Sequence, residues 1–340
     1  MSEQVIFDRK NILVIGGAGF IGSHLCDELV KENKVICVDN FSSGSERNID
    51  HLLADPNFVF IRHDISQPLD LKELKDLQRF KVQFQGVQEI YNLACPTSPK
   101  NFKKNCIANL MANSVGLKNV LDLVLENEAK FLHFSSGVVY GARNEENQTR
   151  KVKEEDIEKM DFLSERSSYD EGKRFAETMV KNYREVYNLD AKILRPFRIY
   201  GPRMKLQDDR MIPDFVNNAL DNKDLVILGD SDFASSFCYI GDLVDAALKM
   251  MDSEAQGPLN IGSDVDVPIK DVAQKIIELI NSESSITYGD KNIFMSPLRI
   301  PDISKANDQL GWMPVVTLNK GLEKTIDDLR AAKGLKTIGN

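Results

Sequence analysis

Tyr169 and Lys173 stand four residues apart in the run Ser168-Tyr169-Asp170-Glu171-Gly172-Lys173-Arg174. That spacing puts a phenol and an ammonium on one face of a predicted helix. A phenol near its free pKa of about 10 is a poor base at neutral pH. A cation held close favours the phenolate and makes such a tyrosine a candidate general base. A hydroxyl partner is offered by Phe134-Ser135-Ser136-Gly137-Val138-Val139-Tyr140-Gly141, where an apolar run ends. Ser136 is the better candidate to hold a substrate hydroxyl beside Tyr169, with Ser135 the alternative. Either serine also suits an ordinary strand-end turn, and a Tyr-x-x-x-Lys pair by itself also occurs on helix surfaces.

Residues 11–44 supply the context for that pair. Asn11-Ile12-Leu13-Val14-Ile15 reads as a buried parallel strand, and Gly16, Gly19 and Gly22 follow it as G-x-x-G-x-x-G. Phe20–Lys31 then reads as an amphipathic helix, and a second apolar run, Val35–Val38, ends at Asp39. Gly16 permits the tight turn, Gly19 lets backbone approach a pyrophosphate, and Gly22 allows close helix packing. The helix N-terminus presents free N–H groups and a positive dipole end to the phosphates. Asp39 lies where a carboxylate accepts from a ribose 2′-OH and repels a 2′-phosphate, so the expected cofactor is NAD rather than NADP. The positive nicotinamide ring would then act with Lys173 to bring the Tyr169 pKa toward the working range, and Lys173 can hydrogen-bond the nicotinamide ribose.

The elements that must position these groups alternate. Strands are expected at Phe58–Ile61, Glu89–Leu93, Lys130–Ser135 and Ala191–Leu194, with His63-Asp64-Ile65 in a strand-end loop. Long helices are expected near Lys104–Glu126 and over Tyr169–Tyr187. The order implies an α/β fold, a Rossmann-type doubly wound parallel sheet whose strand ends face a cleft. The charged stretch Arg143–Glu158 reads as a solvated loop. From Gly201 onward the elements shorten: Met211–Leu220, Gly241–Met251, Ile269–Ile280 and Leu318–Leu329 read as helices, and Leu225–Leu228 and Leu259–Ile261 as extended. This pattern predicts a smaller C-terminal α/β lobe closing over the first domain.

Composition narrows the partners. The chain has 340 residues, 42% of them hydrophobic and 28% charged, enough for a large core in two unequal parts. A net charge of −9 argues against nucleic acid or an anionic membrane as the main partner, though not against a small anion in a local cationic pocket. No apolar run reaches membrane-spanning length, and the polar N-terminus lacks a signal-peptide pattern. Five cysteines and four histidines are scattered without metal-ligand spacing, so no metal and no disulfide framework is expected. The expectation is a cytoplasmic protein. Leu110, Val115, Leu117, Val120, Leu121 and Val124 exceed what one helix face needs against a sheet, which points to a homodimer through the helices near Lys104–Glu126 and Tyr169–Tyr187.

Several longer motifs carry a resemblance. They are GGAGFIGSHL at Gly16–Leu25, DNFSSG at Asp39–Gly44, HD at His63–Asp64 and LACPTSP at Leu93–Pro99. YDEGKR at Tyr169–Arg174, YGPRM at Tyr200–Met204 and SFCYIGDLVD at Ser236–Asp245 complete the set. With these the chain resembles the extended short-chain dehydrogenases/reductases of the NAD-dependent epimerase/dehydratase kind, and UDP-glucuronate decarboxylases most closely, over nearly its whole length. The resemblance implies that Tyr169 takes the proton of a sugar 4-OH while C4 gives hydride to NAD⁺. It implies cofactor contacts at Gly16, Gly19, Phe20, Ile21, Gly22, Asp39, Asn40, Asp64, Ile65, Leu93, Ala94, Tyr169 and Lys173, with Asn113 as the family's structural asparagine. Arg198, Arg210 and Arg299 fall in segments that line the family's nucleotide-diphosphate pocket, where guanidinium forks suit the phosphate oxygens. Residues 1–200 would form the NAD-binding domain, with parts of 236–262 returning to it, and 201–340 mainly the nucleotide-sugar lobe. The family also pairs its two long helices into a four-helix dimer bundle.

The pattern breaks at three places. Decarboxylases of this family read S-T-S-E-V-Y-G where this chain has Ser135–Gly141, so a family serine is Gly137 and a family glutamate is Val138. Their Q-T-R-x-F segment aligns with Phe233–Phe237, which makes the arginine Ser235. The Asp-Glu pair of 4,6-dehydratases is also missing. Oxidation at C4 is supported, and the second step is open between decarboxylation and C4 epimerisation. A 4-dehydrogenase would in addition need cofactor exchange. A catalytically silent NAD- or sugar-nucleotide-binding protein is the alternative from another class, against which the intact Tyr169/Lys173 pair counts.

Overall fold

The computed structural model describes residues 9–141, 150–157, 159–206, 208–229, 233–290 and 298–335. Seven strands form one parallel sheet: β1 (Asn11–Ile15), β2 (Lys34–Asp39), β3 (Phe58–Arg62), β4 (Glu89–Asn92), β5 (Lys130–Phe134), β6 (Ala191–Pro196) and β7 (Leu259–Ile261). Their spatial order is β7-β6-β5-β4-β1-β2-β3. The order reverses between β1 and β4, which makes the switch point where doubly wound sheets open a crevice beyond their carboxyl ends. The register aligns those ends, with Ile15 opposite Val38 on one side and Asn92 on the other.

Alternation along β1 divides the core. Ile12 and Val14 pack into one apolar cluster with Leu25 and Leu243, and Leu13 and Ile15 into another with Leu121 and Val180. Helices Phe20–Leu29 and Ile240–Asp252 therefore cover one face, and Leu117–Asn127 and Ser167–Tyr187 the other. The first helix of the second pair is not regular: Phe102–Met111 passes through a π-helical turn at Ala112–Gly116 before continuing. Such turns hold one extra residue and recur at functional sites.

Beyond β6, β7 and the helix Ile240–Asp252 return to the seven-stranded sheet, and the other elements lie outside it. Leu225–Leu228 pairs in parallel with Ile286–Gly289, a strand not expected from the sequence, and the short helix Ser304–Leu310 was likewise not anticipated. The turn Gly201–Met204 is pinned to the first helix. His24 Nε2 meets the Pro202 carbonyl at 3.0 Å, and Arg203 donates to Asp27 at 2.6 Å.

Two expectations need correction. Of the stretch 143–158, residues 143–149 and 158 lie outside the described residues, but 150–157 is not simply a solvated loop. Val152 is fully buried and bridges to Pro301, and the Glu154 carboxylate accepts from the Asn260 N–H at 2.8 Å. Of the six apolar residues read as a dimer surface, Leu117, Val120, Leu121 and Val124 are intrachain core, and Leu110 and Val115 are exposed. Ile107, Met111 and Phe175 extend that exposed apolar face.

Candidate active site

A cavity of about 710 Å³ opens at the carboxyl ends of the strands. Its floor is the turn after β1. Gly16 has φ +79°, and a Cβ there would lie 2.9 Å from the Ala94 nitrogen; a Cβ on Gly22 would lie 2.3 Å from the Gly16 carbonyl oxygen. Both positions demand glycine. Gly19 caps the helix Phe20–Leu29 in extended conformation with no side-chain cap, leaving the first-turn N–H groups facing the cavity. Asp39, at the end of β2, accepts from the Ala18 N–H at 3.1 Å and the Phe41 N–H at 2.8 Å. Burial raises its pKa, and these two bonds and the nearby Lys205 pull it back. Its two oxygens keep acceptor capacity for a diol. Asn40 donates to Asp64 at 3.0 Å across the rim. Phe20, Ile21, Ile65, Leu93 and Ala94 also line this end.

Ser136, Tyr169 and Lys173 line the same cavity. Ser136 acts on the Tyr169 phenol to lower its pKa, and the Ser136 oxygen accepts from the Val138 N–H at 3.3 Å. The electrostatics differ from the expectation. Burial and the neighbouring Cys95 push the Tyr169 pKa up to about 12, against the pull of Ser136 and Arg166. Lys173 donates to the Phe134 carbonyl at 2.7 Å, and burial lowers its pKa. In the chain alone, then, Lys173 does not bring the phenol into the working range. Ser135 also lines the cavity, and its hydroxyl donates to Glu177 at 2.5 Å. Glu177 in turn holds Arg195 by two bonds of 2.8 and 2.6 Å, and Arg195 donates to the Tyr140 hydroxyl. This half-buried ion pair ties the strand-end turn to the helix that carries Tyr169. Glu177 lies four residues beyond Lys173, so helical spacing alone was a signal for it.

The remaining predicted residues take different places. Asn113 does not line the cavity. It sits in the π-helical turn behind it, donating to the Asn109 carbonyl at 2.9 Å and the Cys95 sulfur at 3.2 Å. Arg299 is buried outside the cavity lining, with Nη2 3.5 Å from the Arg150 carbonyl. Arg210 lines the cavity but is engaged by Asp208 at 3.1 Å and Thr97 at 2.7 Å. Arg198 lines it beside Phe237, its guanidinium carbon 5.9 Å from the ring centroid. Arg166 was not singled out from the sequence, yet it lines the same end, with its guanidinium 5.4 Å from the Phe102 ring. The substituted positions have physical consequences. Val138 presents an apolar wall to the cavity, and a Cβ on Gly137 would meet the Phe197 ring at 2.6 Å. Ser235 is buried in a two-residue strand paired with Val267.

The glycine turn, the acid at the end of β2 and the Ser-Tyr-Lys group thus share one cleft. Residues 12–262 match the model of the NAD dependent epimerase/dehydratase family. The chain belongs to that family. UDP-glucuronic acid decarboxylase 6 of Arabidopsis thaliana is 36% identical over 329 residues, spanning 96% of this chain and 91% of that protein. UDP-glucuronic acid decarboxylase 1 of Xenopus tropicalis is 36% identical over 324 residues, 95% of this chain and 73% of the relative. Among solved structures, UDP-glucuronic acid 4-epimerase from Bacillus cereus, in complex with UDP-glucuronic acid and NAD, superposes with a TM-score of 0.81 at 28% identity, over 95% of this chain and 99% of the other. The family is NAD-dependent, and the glycine cradle and Asp39 fit that cofactor.

Proposed function

We propose that the chain oxidises a UDP-sugar at C4 with NAD⁺, and that its reaction is decarboxylation of UDP-glucuronate. The observation that carries the C4 chemistry is the sharing of one cavity by Tyr169, Ser136, Lys173, the Gly16–Gly22 turn and Asp39. Bound NAD⁺ supplies a hydride acceptor that can later return the hydride. Gly19 and the N–H groups of the first helical turn hold its pyrophosphate, Asp39 its adenosine ribose, and Lys173 its nicotinamide ribose. Ser136 orients the sugar 4-OH against the Tyr169 oxygen, which takes the proton and keeps it at Oη. The resulting 4-ketone makes C6 the carboxyl of a β-keto acid, whose C5–C6 bond breaks with its electron pair passing to the ketone oxygen as an enolate; C5 then takes a proton from water, and Tyr169 returns its proton to the C4 oxygen as C4 regains the hydride. That loss of CO₂ needs no strong base, so Val138 does not forbid it. Arg198 and Arg210 stand on the cavity wall as contacts to the nucleotide sugar.

A second reading, C4 epimerisation, is favoured by Val138 and Ser235, which stand where the resembled decarboxylases carry a glutamate and an arginine, so neither can handle a carboxylate as those groups would. The cavity belongs to a larger NAD-binding part and a smaller lobe formed mainly after Tyr200. We further infer a homodimer through the exposed residues Ile107, Leu110, Val115 and Phe175, and a cytoplasmic location suited to five free cysteines. Among the described residues no helix is long and apolar enough to cross a membrane. Incubation with NAD⁺ and UDP-glucuronate, with products read by mass and NMR, tests the reaction. A UDP-pentose with released CO₂ is the expected outcome; a product of unchanged mass favours epimerisation, and an unaltered substrate overturns both.

A further inference from the structure

Ser136 stands where the chain leaves the sheet. The Ser135 N–H donates to the Leu194 carbonyl at 2.8 Å, tying the end of β5 to β6, and the short turn Gly137–Tyr140 begins two residues later. Ser136 itself is extended, with φ −166° and ψ +154°, so its side chain and that of Ser135 leave in different directions. The placement of the Ser136 hydroxyl therefore depends on what holds the residues on either side of it.

Both sides end on one ion pair. Before Ser136, the Ser135 hydroxyl donates to Glu177 Oε1 at 2.5 Å. After it, the Tyr140 hydroxyl accepts from Arg195 and donates to Asn260 Oδ1 at 2.8 Å, and the Arg195 guanidinium lies 4.7 Å from the Tyr140 ring centroid. Glu177 and Arg195 join through two bonds, of 2.8 and 2.6 Å, with side chains only 13% and 11% exposed. Arg195 finds a further acceptor in the Glu154 carbonyl at 3.0 Å. Glu177 belongs to the helix that carries the base, one turn beyond Lys173 and two beyond Tyr169 on the same stripe. Lys173 makes the rung between them, donating to the Phe134 carbonyl at 2.7 Å. Ser135, Ser136, Tyr169 and Lys173 line the cavity, whereas Glu177 and Arg195 stand behind its wall. The part played by the pair is geometric.

We propose that Glu177 and Arg195 are positioning residues for the reaction: by gripping Ser135 and Tyr140 on either side of Ser136, they hold the Ser136 hydroxyl at the Tyr169 phenol for transfer of the 4-OH proton. The inference rests on the C4 oxidation proposed above. Displacement of a positioned group by about 1 Å costs about a hundredfold in rate, so loss of one of two anchors should cost about tenfold.

Rapid mixing of the NAD⁺-loaded protein with UDP-glucuronate, followed in the near-ultraviolet band of reduced nicotinamide, reads hydride transfer directly. Ser135→Ala removes one anchor and leaves the ion pair whole. Its rate at saturating sugar nucleotide should fall about tenfold, while NAD⁺ affinity and the half-saturating concentration of UDP-glucuronate change by less than about threefold. Glu177→Asp keeps a charge for Arg195 but draws the carboxylate back by one methylene, and it should show the same loss in rate alone. A rate within about twofold of the unmodified protein, in whichever variant folds, overturns the clamp. So does a loss that appears in both affinities, which marks a general loosening of the site. Failure of both variants to fold assigns the pair to stability and overturns it as well. Unmodified protein that gives no band removes the C4 reading and the clamp together, whereas a band that the variants leave unchanged removes the clamp alone.

Discussion

At Tyr169 the governing quantity is the cost of a buried negative charge. Burial and Cys95 outweigh the opposing pull of Ser136 and Arg166, and leave the phenol at about 12 before any cofactor is bound. Lys173 spends one of its hydrogen bonds on the Phe134 carbonyl. The remaining pull on the phenol must come from the positive charge of bound nicotinamide, so base strength and cofactor occupancy are linked. Tyr169→Phe should lower turnover by about a hundredfold or more, the usual scale of lost general-base catalysis, with NAD⁺ affinity changed by less than about threefold. Steady-state rates and a NAD⁺ titration check it; turnover within about threefold of the unmodified protein would mean that another group is the base. Ser136 and Lys173 were legible because the motif order placed them. Arg166 was passed over, since a lone arginine ahead of a helix carries no signal until the fold sets it on the cavity wall with Tyr169.

At the level of elements, the strand-end turn Gly137–Tyr140 decides what the second half of the reaction has to work with. The Phe197 ring occupies the space of a side chain at 137, so this turn cannot simply be converted to the decarboxylase pattern. Gly137→Ser should destabilise the fold by about 1–3 kcal/mol through overpacking, read from chemical denaturation. An unchanged midpoint would show that Phe197 moves freely aside. The seven strands and the long helices were legible from apolar runs and helical spacing, with boundaries moved by one to three residues at most of them. Three features were not. The π-helical turn at Ala112–Gly116 leaves no periodic trace in so short a stretch, and it is what sets Asn113 behind the cavity rather than in it. The bridge from Val152 to Pro301 joins segments nearly 150 residues apart. Membership of the core, which claimed Leu117, Val120, Leu121 and Val124, depends on which helix face meets the sheet, and composition alone overcounted the surface.

For the molecule as a whole, the site is built over a buried base that the reaction does not use. His133, inside β5, has its Nδ1 3.4 Å from the Asn92 amide and is almost inaccessible to water. Burial, and then Lys173, hold its pKa well below the ordinary value. The unfolded chain therefore takes up a proton that the folded chain refuses, so stability falls as pH drops below about 6.5, the unperturbed histidine value, and is insensitive to this group above it. Denaturation midpoints followed from about pH 7.5 down to about pH 5 should decline, and His133→Gln should flatten the decline. An equal slope in that variant would assign the acid sensitivity elsewhere. The central claim is that one cavity joins a dinucleotide cradle to a tyrosine base for oxidation at a sugar C4. Its most direct test is rapid mixing of the NAD⁺-loaded protein with UDP-glucuronate while the near-ultraviolet band of reduced nicotinamide is followed. A transient rise and fall of that band, absent in Tyr169→Phe, is the predicted result; consumption of the sugar nucleotide with no such band in rapid mixing, and with Tyr169→Phe equally active, would contradict it.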